Sequence, residues 1–243
     1  ELKQSSVAVR GFIRILMFKR LESSVEAIRQ TVDKMLRGHE NFLAALDRGV
    51  VPAGDAAQRV LSEQDWSDDA AFEEALATAG IRYRAVDFDL TALRRDLEND
   101  VEVLAQLKLH LSPISPDRDG KLQVLRSLLT EDLAGQKVLV FTQFEATARY
   151  LAESLADLPQ VVWLSGQHRG AGRSFLRTIA RFAPKANPIV RDPGDPIRVL
   201  VATDVLSEGL NLQDCSILIN YDLTYNPVRL IQRVGRVDRV GSE

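Results

Sequence analysis

Ile197-Arg-Val-Leu-Val-Ala-Thr-Asp-Val-Leu-Ser-Glu-Gly-Leu-Asn-Leu212 is an apolar run that breaks into Thr203, Asp204, Glu208, Gly209 and Asn211. A short, continuously apolar strand is buried on both faces, as in a parallel sheet covered by helices. Such sheets bind ligands just beyond the carboxyl ends of their strands, where this run turns polar. Gly209 lets a backbone approach a phosphate or sugar closely. A capped helix start followed by a turn is the plainer reading of the same residues. Working outward, 138–141, 161–164 and 217–220 are further short apolar runs. Helical periods over 121–133, 146–155, 172–182 and 228–240 separate or close them, and prolines 184, 188, 193 and 196 mark a long loop. Strands alternating with helices predict an α/β fold, a parallel sheet with helices on both faces.

Upstream of Pro113 and Pro116 the pattern is different. Phe12, Ile15, Leu16, Leu21, Val25, Ile28, Val32, Met35 and Leu36 recur at helical spacing, and Ser23 and Ser24 can cap the second of two helices. Residues 68–79 and 90–111 repeat that period with abundant acid. The expected organisation is a helical segment at 1–40, an acidic helical insertion at 41–117 and an α/β lobe at 118–243.

The 243 residues carry 31 basic and 34 acidic side chains, a net charge of -3. Taken globally, that balance disfavours a nucleic-acid partner. By segment, however, residues 1–40 carry +3, residues 41–110 carry −7 and residues 111–243 carry +1. The deficit belongs to the acidic segment, which is either a solvated spacer or a surface for a basic protein partner. One cysteine, Cys215, excludes an internal disulfide and a cysteine zinc cluster and fits a reducing compartment. No run reaches a membrane span of about 18 apolar residues, and the chain reads as a piece of a larger cytoplasmic protein. His39, His110 and His168 show no metal-ligand spacing, so no metal site is expected.

Three stretches could carry chemistry. In Gln232-Arg-Val-Gly-Arg-Val-Asp-Arg239, Arg233, Arg236 and Arg239 stand three apart along one helical edge, a repulsive arrangement unless something anionic faces it. A solvated basic face is the alternative. The second stretch is the strand end at Thr203 already described. The third is Phe141-Thr-Gln-Phe144, where a hydroxyl, an amide and a helix N-terminus suit phosphate oxygens, or serve only as a helix cap.

Together with Trp163-Leu-Ser-Gly166, the lead-in Gly120-Lys-Leu-Gln-Val-Leu-Arg-Ser-Leu-Leu129 and the stretch 219–241, these motifs resemble the second motor lobe of superfamily 2 helicases, in particular the Swi/Snf-like translocases. The resemblance covers about 118–243 and implies a RecA-like parallel sheet. Phe18-Lys-Arg-Leu-Glu-Ser-Ser24 further resembles the segment joining the two lobes in bacterial members akin to the RNA-polymerase-associated remodelling ATPase. By position, the resemblance implies that Arg236 and Arg239 are arginine fingers reaching ATP phosphates on the first lobe. Gln232, Glu208 and Gly209 would lie near the nucleotide, and Arg233 would be structural or coupling. Thr142, Gln143, Ser165, Gly166, Thr203 and Asn211 would hold a nucleic-acid backbone. Tyr225 and Asn226 stand where the family has Trp-Asn, and Ser242 where it has glutamine. The implied partners are double-stranded DNA or RNA and the protein's own first lobe, with no membrane; the implied location is bacterial, cytoplasmic and nucleoid-associated. The implied cofactors are ATP and Mg2+. Their first-lobe motif, Gly-x-x-x-x-Gly-Lys-[Ser/Thr], is absent from this sequence. This chain alone is therefore expected not to hydrolyse ATP.

Overall fold

The computed structural model describes residues 2–52, 82–84, 89–166, 168, 172–188, 194–204, 212–223 and 227–237, with side chains from Ile13 onward except at 52, 82–84, 229, 236 and 237. The chain divides into two compact units: Glu1–Ala27 with Ile114–Glu243, and Ile28–Pro113.

The first unit begins with helix α1 (Leu2–Ser23). It continues through α4 (Gly120–Thr130), β3 (Val138–Thr142), α5 (Glu145–Ser154), β4 (Val161–Leu164), α6 (Arg173–Phe182), β5 (Val199–Thr203), β6 (Ile217–Asn220) and α7 (Pro227–Val237). The four strands form a parallel sheet in the order β4-β5-β3-β6. Consecutive strands of a parallel sheet need a crossover, and α5 supplies it between β3 and β4 and α6 between β4 and β5. This is the parallel α/β arrangement that the alternation of apolar runs and helical periods predicts, and it agrees with the RecA-like sheet that the resemblance implies.

Strand side chains alternate between the two faces. Leu139 and Phe141 of β3 and Leu200 and Ala202 of β5 join Phe175, Ile179 and Phe182 of α6 in one buried layer. Val138, Val140, Val199 and Val201, also fully buried, point the other way. There α5 packs across β3, β4 and β5. On α4, Leu122, Leu125 and Leu129 are buried at helical spacing, and Asp119 caps the helix by accepting from the Leu122 N–H at 3.1 Å. Cys215 is a buried small side chain whose thiol donates to the Lys137 and Ile217 carbonyls at 3.2 Å; burial raises its pKa.

Register decides what the sheet presents. Thr142 pairs with Thr203, Leu164 with Ala202, and Phe141 with Asn220. Thr142, Thr203, Ser165 and Tyr221 therefore end their strands at one level, and the loops that follow leave from a single edge.

The second unit holds most of α2 (Val25–Asp47), then β1 (Val50–Pro52), β2 (Arg82–Arg84) and α3 (Leu90–Leu111). The contacts between α2 and α3 run in reverse order. Asp33 pairs with Lys108 at 2.8 Å, His39 with Asp100 at 3.5 Å, and Asp47 with Arg94, so the helices are antiparallel. Phe42, Leu43, Leu46 and Val51 pack with Leu90, Leu93 and Leu97 at one end of this unit. The segment expected to be helical thus contains an antiparallel ribbon, with Val51 opposite Tyr83. Gly49, at φ 74, turns the chain out of α2 into it. Three-residue strands are too short for a period of two to register, and Arg82-Tyr-Arg84 sits in charged sequence. The helix expected over 68–79 lies outside the described residues.

Core and surface apolar positions should separate sharply on substitution. Phe182→Ala, at a fully buried position between α6 and the sheet, should destabilise the first unit by about 3–5 kcal/mol. Val124→Ala, 61% exposed on α4, should change stability by less than about 0.5 kcal/mol. Denaturant titration of both variants checks this; equal costs would contradict the layer assignment.

Candidate nucleotide and nucleic-acid edge of the sheet

Two side chains organise the carboxyl ends of the strands, and both lie beyond β6. The first is Asp222, which is 6% exposed. Its Oδ2 accepts from the Thr142 hydroxyl at 2.5 Å, the Gln143 N–H at 2.7 Å and the Ser23 hydroxyl at 3.0 Å. Lys121 Nζ stands 3.5 Å from Oδ1 and 3.9 Å from the centre of the Tyr221 ring. A buried carboxylate is tolerated when its lone pairs are filled in this way. Burial, with Asp119 and other neighbours adding to it, raises the Tyr221 pKa, so its phenol stays neutral.

The second is Arg233 on α7, whose side chain is 0% exposed. Its Nε donates to Asp204 Oδ1 at 2.6 Å, and its Nη1 donates to Asn220 Oδ1 at 2.8 Å and the Asp222 carbonyl at 3.4 Å. The guanidinium lies 5.2 Å from the centre of the Phe141 ring. Nη2 has no partner among the described residues. One side chain thus ties α7 to the ends of β5 and β6. Its neighbour Gln232 is exposed, and Arg236 follows on the same helix, one turn on.

The end of α1 is held at the same edge. Ser23 and Ser24 hydroxyls lie 2.7 and 2.8 Å from the Thr147 hydroxyl, and all three residues are buried. Ser24 also accepts from the Ala27 N–H at 3.1 Å, the N-cap that its position ahead of a helical period predicts. Lys121 donates to the Glu22 and Ser23 carbonyls at 2.8 and 3.2 Å, placing a cation at the negative end of the α1 dipole. Arg20 covers the Phe144 ring at 4.5 Å, and burial lowers its pKa.

The residues singled out from sequence fall into three groups. Thr142 is fully buried and its hydroxyl is committed to Asp222. The edge therefore offers Gln143 and backbone groups here, not the Thr142 side chain. Gln143 Nε2 reaches the Leu223 carbonyl at 3.2 Å. Ser165 is buried and bonded locally: its N–H donates to His168 Nδ1 at 3.1 Å, its hydroxyl is also 3.1 Å from that atom, and Gly166 follows it. Accepting an N–H requires an unprotonated Nδ1, so His168 is folded back as an acceptor, edge-on to Trp163 with ring centres 4.5 Å apart. Thr203 is buried, with no partner for its hydroxyl among the described residues. Glu208, Gly209, Asn211, Tyr225, Asn226 and Arg239 lie outside the described residues, as does the side chain of Arg236. Among the described residues no group of three or more His, Cys, Asp or Glu could hold a metal ion. No described helix is long and apolar enough to cross a membrane.

Asp222 was the residue missed. An acid just after a buried strand is the only hint in the sequence, and Asp204 after β5 offers the same hint. What separates them is the company of Thr142, Ser23 and Lys121, between 80 and 199 positions away.

A family model described as the helicase conserved C-terminal domain matches residues 120–241. The uncharacterized ATP-dependent helicase YqhH of Bacillus subtilis is 38% identical over 109 residues, 44% of this chain and 17% of that protein. A protein of Schizosaccharomyces pombe assigned as the ATP-dependent DNA helicase fml2 is 33% identical over 132 residues, 53% of this chain and 17% of that one. The ATP-dependent RNA helicase DBP8 of Gibberella zeae is 37% identical over 114 residues, 47% of this chain and 19% of that one. The chain thus spans less than a fifth of the length of each of these relatives.

Removing the Asp222 carboxylate leaves two buried hydroxyls and a backbone N–H without their acceptor. Asp222→Ala should therefore cost about 3–5 kcal/mol of stability and Asp222→Asn less, because one oxygen remains. Urea unfolding of both variants is the measurement; a cost below about 1 kcal/mol for Asp222→Ala would remove Asp222 from its central position.

Proposed function

The chain belongs to the helicase conserved C-terminal domain family, and from that premise we propose that it is the second motor lobe of an ATP-dependent nucleic-acid translocase. In this reading residues 118–243 form the motor lobe, residues 1–40 join it to a first lobe, and the acidic insertion at 41–117 is an accessory element. The finer type is Swi/Snf-like, akin to the bacterial RNA-polymerase-associated remodelling ATPases, with double-stranded DNA as the track. The motif set from Gly120 to Gly241 supports that type. Relatives named for DNA and for RNA are both matched, so RNA is the alternative track.

The observation that carries the reading is the burial of Arg233. A fully buried guanidinium bonded to Asp204 and Asn220 fixes the roll of α7. The exposed Gln232 beside it, with Arg236 one turn on, is then presented from a rigid base. Guanidinium and carboxamide donors suit triphosphate oxygens, whereas the described residues offer no cluster for Mg2+. A nucleotide held mainly by the first lobe would supply the phosphoryl group that is transferred to water, and its Mg2+ would neutralise phosphate charge. Within this chain, Arg236 and Arg239 stabilise charge on the transferring phosphoryl oxygens, Gln232, Glu208 and Gly209 line the nucleotide, and Arg233 positions the helix. Gln143, Ser165, Gly166, Thr203, Asn211, Tyr225 and Asn226, with the backbone at Thr142, face the nucleic-acid backbone. Lobe closure around nucleotide moves that edge relative to the first lobe. Affinity for phosphates makes binding weakly sequence-selective and strongly salt-dependent.

The test is nucleic-acid-stimulated ATP hydrolysis by the two-lobe protein. Arg236→Ala and Arg239→Ala should each lower kcat by about 10³-fold or more with little change in nucleic-acid affinity. A deletion of 41–110 should leave turnover measurable, and residues 1–243 alone should not turn over ATP. Full activity in both arginine variants would refute the finger assignment.

A further inference from the structure

On the flank of the first unit, α6 carries Arg173, Arg177 and Arg181, each four residues from the next. Four residues rise about 6 Å along a helix, so three guanidiniums follow one another on one face at about that interval. The face is fixed by the core, because Phe175, Ile179 and Phe182 on the other side are buried against the sheet. Like charges at this spacing repel, and a helix normally relieves them with acids. Helix α6 contains no acid, and none of its three arginines makes a salt bridge among the described residues. Arg181 Nε donates to the Asp195 backbone carbonyl at 2.6 Å, which holds the side chain without neutralising it.

The stripe also lines a concavity. Arg173, Arg177, Thr178 and Arg181 form one wall, and Gly194 and Asp195 form the other, enclosing about 520 Å³. Gly194, at φ +91, takes a conformation that L side chains rarely adopt, and a Cβ there would meet Arg181 Cδ at 3.9 Å. That distance is ordinary contact, so the positive φ of the turn, and not a shortage of room beside Arg181, is what calls for glycine. The topology sets the direction of the groove. Because α6 follows β4 and leads to β5 in a parallel sheet, Arg173 lies towards the strand-end edge and Arg181 towards the opposite end.

We propose that the α6 groove is a binding site for the phosphodiester backbone of a nucleic-acid strand, reached from the edge at Ser165 and Gly166. This rests on the functional reading above and extends its track down the side of the lobe. A regular row of cations matches a regular polyanion, and guanidinium forks pair with phosphate oxygens. A single small anion would engage one or two of these arginines, whereas a strand engages the row. Residues at 118–243 are close to neutral overall, so the row acts as a local contact and not as a general field.

The experiment uses the full chain, a fluorescein-labelled 30-base-pair DNA duplex, and anisotropy at several salt concentrations. The substitutions are Arg177→Gln alone and Arg173→Gln, Arg177→Gln and Arg181→Gln together. All three sites are at the surface, and thermal unfolding confirms that the variants fold. The triple variant should bind at least about tenfold more weakly, and the slope of log K against log salt should fall by about 0.9 per arginine removed. Unchanged affinity and slope in the triple variant would overturn the groove. A Gln143→Ala variant separates the two claims. Loss there with an intact triple variant refutes the groove and keeps the edge; the reverse keeps the groove and refutes the edge. No salt-dependent binding by the unsubstituted chain refutes both. Polyglutamate binding as tightly, with the same dependence on the three arginines, would refute nucleic acid as the occupant in favour of an acidic protein.

Discussion

A carboxylate taken out of water at the end of β6 is the constraint around which the ligand edge is arranged. Asp222 must fill its lone pairs to stay charged and buried, and its four donors come from three separate places in the chain. Ser23 ends α1, Lys121 begins α4, and Thr142 and Gln143 end β3. The backbone carbonyl of Asp222 then accepts from Arg233, whose other contacts reach β5 and β6. Two ionised side chains thus pin a helix from each end of the sequence to the same sheet edge. Neither contributes much as an isolated ion pair, since burying charge costs about what pairing returns. They specify arrangement: a shift of α7 or α1 would strand a charge in the core.

That arrangement explains which parts could be read from sequence and which could not. The strands at 161–164 and 217–220 and the helix at 90–111 were legible to the residue, because a short unbroken apolar run or a long helical period imposes a pattern over consecutive positions. The ribbon of Val50–Pro52 with Arg82–Arg84 was not, since its pairing joins two three-residue pieces about thirty positions apart. Polar residues ending apolar runs marked where β3, β4 and β5 stop, at one level of the sheet. The direction of each side chain was not legible. Thr142 turns inward because Asp222 stands within reach, and that contact spans 80 positions. Ser165 is occupied by His168, only three residues on.

The same distinction applies to the arginines. Spacing three apart puts Arg233, Arg236 and Arg239 near one helical edge, yet a step of three on a helix turns the side chain by about 60° from its predecessor. For Arg233 the resulting direction is the core, with Asp204 and Asn220 as partners. On α6 the interval is four, the offset is about 40°, and all three arginines remain on the outer side. Equal composition with different spacing yields one structural cation in the first case and a continuous cationic row in the second.

Net charge is therefore a poor guide to what this lobe attracts. The chain is at -3 because residues 41–110 carry −7. What an approaching polyanion meets at the α6 groove is a local row: among the described residues that line it, three guanidiniums without a salt bridge stand against the single carboxylate of Asp195. Arginine outnumbering lysine by 24 to 7 sharpens this. A guanidinium keeps its charge when partly buried and bonds through a rigid fork, so it can act as the anchor at Arg233 and as a phosphate contact at Arg177. A lysine at position 233 would leave Asp204 or Asn220 without its bond; a lysine at 177 would lose only the fork.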